Sequence, residues 1–236
     1  MQEEPVEPRD RMMIAMLVPL GIEKGKPFQP DERQKKLLVQ GAEIGELMAM
    51  NFAFNKRFEG AKYRPETQWV YVLELKAPNQ EDENYTQLDQ RSAWFYEAVT
   101  ASKGMLTKTP GVGQVYLGAY HDQTGQWFDG AKTYKLRVPA NPPAKQFWSL
   151  TIYDTSTRCL IENQQGVADK SSRMDLAKNA DGSVDLYLGP TAPAGHEKNW
   201  IPTNPDKAWF AYFRLYAPTE AYFDRSWKLP DIEQAK

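Results

Sequence analysis

The side chains able to do chemistry in this 236-residue chain are few and scattered. It has two histidines, His121 and His196, and one cysteine, Cys159. His121 precedes Asp122 where a strand gives way to a turn, and His196 precedes Glu197 in a loop. A histidine beside a carboxylate can move protons, but loop histidines are more often simply solvated. Neither histidine has a second metal-ligating side chain at metal spacing. Cys159 sits in Arg158-Cys159-Leu160-Ile161 with no base to activate it, so it reads as a small buried hydrophobe. The chain holds no Gly-x-Ser-x-Gly elbow and no Ser-x-x-Lys, and Gly111-Val112-Gly113 leads into a strand rather than a helix, which excludes a dinucleotide turn. Asp181, Ser183 and Asp185 surround a turn but lack the remaining oxygen positions of a calcium loop. No metal and no cofactor is expected, and the sequence discloses no reaction.

A polar–aromatic constellation is more suggestive. Tyr153, Asp154 and Arg158 lie near the end of one strand, while Tyr212, Arg214 and Tyr216 share one face of another. Arginine presents a planar fork to a carboxylate or phosphate, and tyrosine rings stack on sugars or apolar rings. Trp200, in the loop Lys198-Asn199-Trp200-Ile201-Pro202, can either clamp a ligand or cap the core. These residues form the candidate ligand site. The competing structural reading pairs Arg214 with Asp154 or Asp185 in a surface network.

The elements that must position them follow from periodicity. Asp31 after Pro30 caps a helix whose stripe Leu38, Gly41, Gly45, Met48, Phe52 repeats at helical spacing, the glycines implying close approach of another backbone. Trp69 to Leu73 reads as a short strand. A second helix is expected from Tyr85 to Lys103, with Leu88, Phe95 and Val99 buried. From Thr109 onward, alternation marks strands at Val115–Ala119, Tyr134–Val138, Trp148–Ile152, Val184–Leu188 and Trp209–Leu215. In the last of these Trp209, Ala211, Phe213 and Leu215 face the core and Phe210, Tyr212, Arg214 and Tyr216 face away. Short strands between Gly, Pro and Asp turns, without a βαβ rhythm, predict a mainly β protein with an α-helical N-terminal part. Residues 1–108 form a helical connector with a short strand, and 109–236 an antiparallel, jelly-roll-like β-sandwich.

Composition narrows the partners. A net charge of −2 with scattered basic residues gives no reason to expect nucleic acid. No segment nears the ~18 consecutive apolar residues of a membrane span. The acidic, Pro-bearing start is not a signal peptide.

The segment from Pro110 to Glu233 resembles the C-terminal domain of a bacterial family known as domain of unknown function 1214 (DUF1214). The matching blocks are Tyr116-Leu117-Gly118-Ala119-Tyr120, Asn141 to Ser149, Asn179 to Asp185, Asn199-Trp200-Ile201-Pro202, Trp209 to Tyr216 and Ser226 to Ile232. The resemblance implies a jelly-roll-like domain with a helical connector, of a kind frequent in periplasmic or envelope proteins. Longer members carry an upstream DUF1254 domain, which is absent here, so the chain is either a short member or a piece of a longer one. The resemblance supplies no catalytic motif. The expected role is a noncatalytic binding or assembly module for a polar or amphipathic small molecule. The alternatives are a metal-independent hydrolase using Asp154, Arg158 and Tyr153 or His196, and a viral-coat-like structural jelly roll. The Gly-lined helix and the apolar run Met12 to Leu17 point to a homo-oligomer, or to cover by an upstream domain.

Overall fold

The computed structural model describes residues 3–74, 79–99, 101, 102, 105 and 108–235. The alternating segments become β1 (Gln114–Ala119), β2 (Tyr134–Val138), β3 (Ala144–Asp154), β5 (Val184–Gly189) and β7 (Trp209–Pro218). Three short strands join them: β4 (Asp169–Ser171), β6 (Trp200–Pro202) and β8 (Glu233–Gln234). They build two four-stranded sheets, ordered β1-β7-β3-β4 and β6-β5-β2-β8. The chain is thus mainly β, a sandwich preceded by helices.

The inner faces share one core. Leu117, Leu150, Ile152, Ala211 and Phe213 of the first sheet pack with Leu136, Leu186, Leu188 and Ile201 of the second. Trp209 stacks on Phe128 at 4.1 Å between ring centroids. A methyl group on Gly130 would lie 1.9 Å from the Asn204 carbonyl oxygen, so two backbones meet there at a distance only glycine permits. One pair departs from the expected antiparallel pattern: β6 runs parallel to β5, with Trp200 opposite Tyr187. Residues 190–199 carry the chain back alongside β5 in the same direction, a return shorter than is usual between parallel strands, and β6 pairs only with the last three residues of β5.

The N-terminal part is stitched into this sandwich. Tyr63 and Trp69 belong to its core, Trp69 Nε1 donates to the Pro230 carbonyl at 2.8 Å, and the Tyr63 hydroxyl donates to the Tyr222 carbonyl at 2.9 Å. The expected strand at Trp69–Leu73 is reduced to isolated bridges of Val70 with Lys62 and Gly118. Trp69 turns into the sandwich while Val72 and Leu73 turn to the outer face, and Val70 between them bridges to Gly118 on β1.

Among the described residues four α-helices accompany the strands: α1 (Arg11–Ala15), α2 (Glu32–Phe54), α3 (Leu88–Glu97) and α4 (Glu220–Phe223). Asp31 caps α2 as expected, accepting from Gln34 N at 2.7 Å while its own N–H donates to Gln34 Oε1 at 2.9 Å. The expected buried stripe on α2 is not found. Only Ala53 and Phe54 are buried, and no atom lies within 4 Å of a methyl built on Gly41 or Gly45. Periodicity identifies a helix but not what covers it, and α2 is anchored by its last turn and by α3. Ile44 and Leu47 remain 59% and 67% exposed.

The face of α3 is also reversed. Leu88, Phe95 and Val99 are exposed, and Ala93, Trp94 and Glu97 are buried. Trp94 fills the outer aromatic cluster and Glu97 has a buried cationic partner, so a charged position wins the inner face. The expected end at Lys103 lies outside the described residues. Cys159, expected in the core, is exposed at a turn beyond β3. Among the described residues no helix is long and apolar enough to cross a membrane.

Candidate functional site

Because strand side chains alternate, β7 sends Phe210, Tyr212 and Arg214 away from the sandwich core. Thr151 and Tyr153 of β3 and Tyr116 of β1 flank them in register, pairing with Tyr212, Phe210 and Arg214. Over this outer face lie α3 and two short stretches, residues 58–60 and 71–74, on either side of the core-bound Tyr63 and Trp69. Between floor and cover is a cavity of about 950 Å³, at the upper end of small-molecule sites.

Arg214 is the centre of the floor. Its Nη1 donates to Thr151 Oγ1 at 2.8 Å and its Nη2 to the Tyr153 hydroxyl. The guanidinium carbon lies 5.2, 5.4 and 5.6 Å from the ring centroids of Tyr116, Tyr212 and Tyr153, within cation–π range of all three. Among the described residues no carboxylate oxygen comes within 4.0 Å of it. Neither Asp154 nor Asp185 is its partner: Asp154 pairs with Lys207, and Asp185 lies 4.0 Å from Arg137.

A buried ionic cluster closes the inner wall. Lys56 Nζ meets Glu97 Oε2 at 2.5 Å, with their side chains 3% and 0% exposed. The other Glu97 oxygen accepts from the hydroxyls of Tyr120 and Tyr212. Burial, and then the charge of Glu97, push both tyrosine hydroxyls well above their ordinary range, so they remain protonated donors. Burial also raises Tyr116, opposed by the charge of Arg214.

At the rim, Arg158 holds a left-handed backbone (φ 61°) and lays its guanidinium 4.2 Å from the Tyr96 ring. Cys159 lines the same rim. At the opposite end Arg225 lies 5.9 Å from the Tyr71 ring, beside Tyr222 and Phe223.

Four of the residues proposed from sequence, Tyr153, Arg158, Tyr212 and Arg214, line this one cavity. Three do not. Asp154 lines a separate depression, its carboxylate engaged by Lys207 and Ser156. Burial pushes that carboxyl up, but those hydrogen bonds outweigh it and hold it below its usual range. Tyr216 stacks on Phe147 at 3.8 Å, with Arg173 3.7 Å from the far ring. Trp200 belongs to the other sheet, where its Nε1 donates to the Gly189 carbonyl at 2.8 Å. His196 is there too, against Tyr187 at 4.5 Å, so Asp154, Arg158 and His196 form no constellation. Sequence reasoning missed Lys56, Trp94, Tyr96, Glu97 and Tyr120. The available signal was the Trp94–Glu97 spacing on a helix, which places both on one face.

The fold is a two-sheet β-sandwich with an open cavity on one outer face. Residues 113–220 match the family model "Protein of unknown function (DUF1214)", and the chain carries a DUF1214 domain. Among solved structures it resembles the VPA0106 protein from Vibrio parahaemolyticus, at 21% identity and a TM-score of 0.50, covering 97% of this chain and 52% of that one. An uncharacterised protein from Burkholderia cenocepacia matches at 13% identity and a TM-score of 0.38, covering 95% of this chain and 48% of that one. This chain therefore spans about half the length of the solved structures it resembles. No curated protein matches it.

Proposed function

We propose that this chain is a noncatalytic binding module that holds a polar or amphipathic small molecule on the outer face of the β1-β7-β3 sheet. The observation that carries this is the cavity of about 950 Å³, floored and walled by aromatic rings with polar groups converging on it. Large, mostly apolar concavities with a few fixed polar groups are the usual form of a ligand site. A folded sheet that only needed shielding would be covered flush, as the inner faces are.

Cys159 allows a direct test, because it is the sole cysteine and lies on the rim. Titration with the neutral dye Nile red, before and after alkylation with a bulky maleimide, should show one saturable site that alkylation removes. Native mass spectrometry should show whether a small molecule is retained through purification. Dye binding indifferent to alkylation, with no retained molecule, would overturn the reading.

The uncovered side of α2 supports a second role in assembly. Val39, Ile44, Leu47 and Met48 are all more than half exposed. Ile44, Leu47 and Met48 are neighbours at i, i+3 and i+4 on the helix, and exposed apolar side chains clustered in this way mark an interface more often than a free face. A second copy of the chain is its proposed cover.

A further inference from the structure

We propose that the occupant of the outer-face cavity is an amphipathic organic carboxylate, its head group seated on Arg214 and its apolar body lying along Phe210 and Trp94. This rests on the reading of the cavity as a ligand site. Aromatic cages ordinarily select cations, since the ring faces are negative. Here three tyrosine rings surround a cation the protein supplies itself, the Arg214 guanidinium at 5.2 to 5.6 Å from each centroid. A cationic ligand would meet like charge at the cage's centre, so the cage favours an anion.

The donors support this. Of the five N–H groups of a guanidinium, Thr151 takes one at 2.8 Å and Tyr153 another. The hydroxyl of Tyr116 is a further neighbour. Unused N–H groups remain, and all the described partners are neutral oxygens. A half-buried guanidinium without a carboxylate is uncommon, because desolvating a charge is unfavourable unless an opposite charge faces it. The surroundings are also biased toward anions. Arg158, Arg225 and Lys108 share the lining with Glu59, Glu74 and Glu97, and Glu97 is already neutralised by Lys56 at 2.5 Å.

A single guanidinium fork flanked by neutral hydroxyls suits a monoanion, and the planar fork matches a carboxylate. The rest of the lining is apolar. Val72, Leu73, Trp94 and Phe210 cover the inner part and Phe223 the far end, room for a chain or ring system attached to that head group.

The test is isothermal titration of the full chain with four probes sharing one twelve-carbon tail: dodecanoate, dodecanol, dodecyl phosphate and dodecyltrimethylammonium, each below its micelle concentration. Dodecanoate should bind most tightly, more weakly at high salt, and dodecyltrimethylammonium should not bind. Arg214→Gln should weaken dodecanoate by about tenfold, the loss expected when a charged hydrogen bond is removed, and leave dodecanol unchanged. If that variant does not fold, Arg214→Lys keeps the charge without the fork and should still weaken dodecanoate measurably. Equal binding of all four probes, tighter binding of the phosphate or the ammonium, or an unchanged dodecanoate affinity in a folded Arg214 variant would overturn the proposal while leaving a ligand site intact. Binding of none of the four, dodecanol included, would overturn the ligand site itself.

Discussion

Lys56 and Glu97, separated by 41 residues, meet at 2.5 Å with almost no solvent reaching either side chain. Lys56 lies just beyond the end of α2 and Glu97 is the last residue of α3, so the pair ties both helices to one point. Through Tyr120 and Tyr212 the same carboxylate is tied to the sheet. One buried carboxylate thus fixes the cover of the cavity to its floor.

Removing one partner of this pair should be far worse than removing both. Glu97→Ala leaves an uncompensated buried ammonium and should cost about 3–5 kcal/mol. The combined variant Lys56→Met, Glu97→Leu should lose clearly less than the sum of the single changes. Urea denaturation measures both, and a loss below about 1 kcal/mol for Glu97→Ala would show that the cluster does not hold the cover.

The same cluster sets an alkaline limit. Tyr120 and Tyr212 are raised well above their usual value of 10.0 by burial and by Glu97, so the folded chain keeps protons that the unfolded chain releases. Their contribution is fully present below about pH 10 and is lost as the pH climbs toward the raised values. Stability should fall above about pH 10 by roughly 1.4 kcal/mol per pH unit for each such tyrosine. Urea titrations from about pH 8 to 11 should show this slope, and the Tyr120→Phe, Tyr212→Phe pair should make it shallower, leaving the part due to Tyr63 and Tyr222, which burial also raises. An equal slope in that variant would place the alkaline sensitivity elsewhere.

Glycines in the two halves of the molecule should respond with opposite sign. Gly130→Ala would press its methyl against the Asn204 and Lys207 carbonyl oxygens, at 1.9 and 2.5 Å in the unrelaxed backbone. It should destabilise by about 1–3 kcal/mol or more. Gly41→Ala and Gly45→Ala meet open space inside α2 and should each stabilise by about 0.5–1 kcal/mol. Thermal melts distinguish the cases, and destabilisation by Gly41→Ala would mean that another backbone packs on that face.

Self-association through α2 should appear as a rise in mass with concentration. Light scattering over a dilution series should show it, and Met48→Glu with Leu47→Glu should abolish it while leaving the melting temperature of the dilute monomer unchanged, because both side chains are exposed in the single chain. A monomer at all concentrations would remove the proposed role of this surface.

The sandwich and the outward face of β7 could be read from residue order alone. Alternation over Trp209–Leu215 is a local property: once a strand forms, Trp209, Ala211, Phe213 and Leu215 go to one side and Phe210, Tyr212 and Arg214 to the other. Candidates drawn from those strands, Tyr153, Tyr212 and Arg214, therefore arrive at one site. The helices were legible as helices, down to the Asp31 cap, because caps and propensity act within a few residues. Which side of each helix is buried was decided only in three dimensions. On α3 the charged Glu97 turns inward and Phe95 outward, because a lysine 41 residues away and two strand tyrosines are there to receive the carboxylate. Burial of a charge depends on partners brought together by the whole fold, and no periodicity along one helix records them. Trp200 shows the same limit: its motif is local, but a parallel return beside β5 carries it to the opposite sheet, away from the cavity and from the other candidate residues.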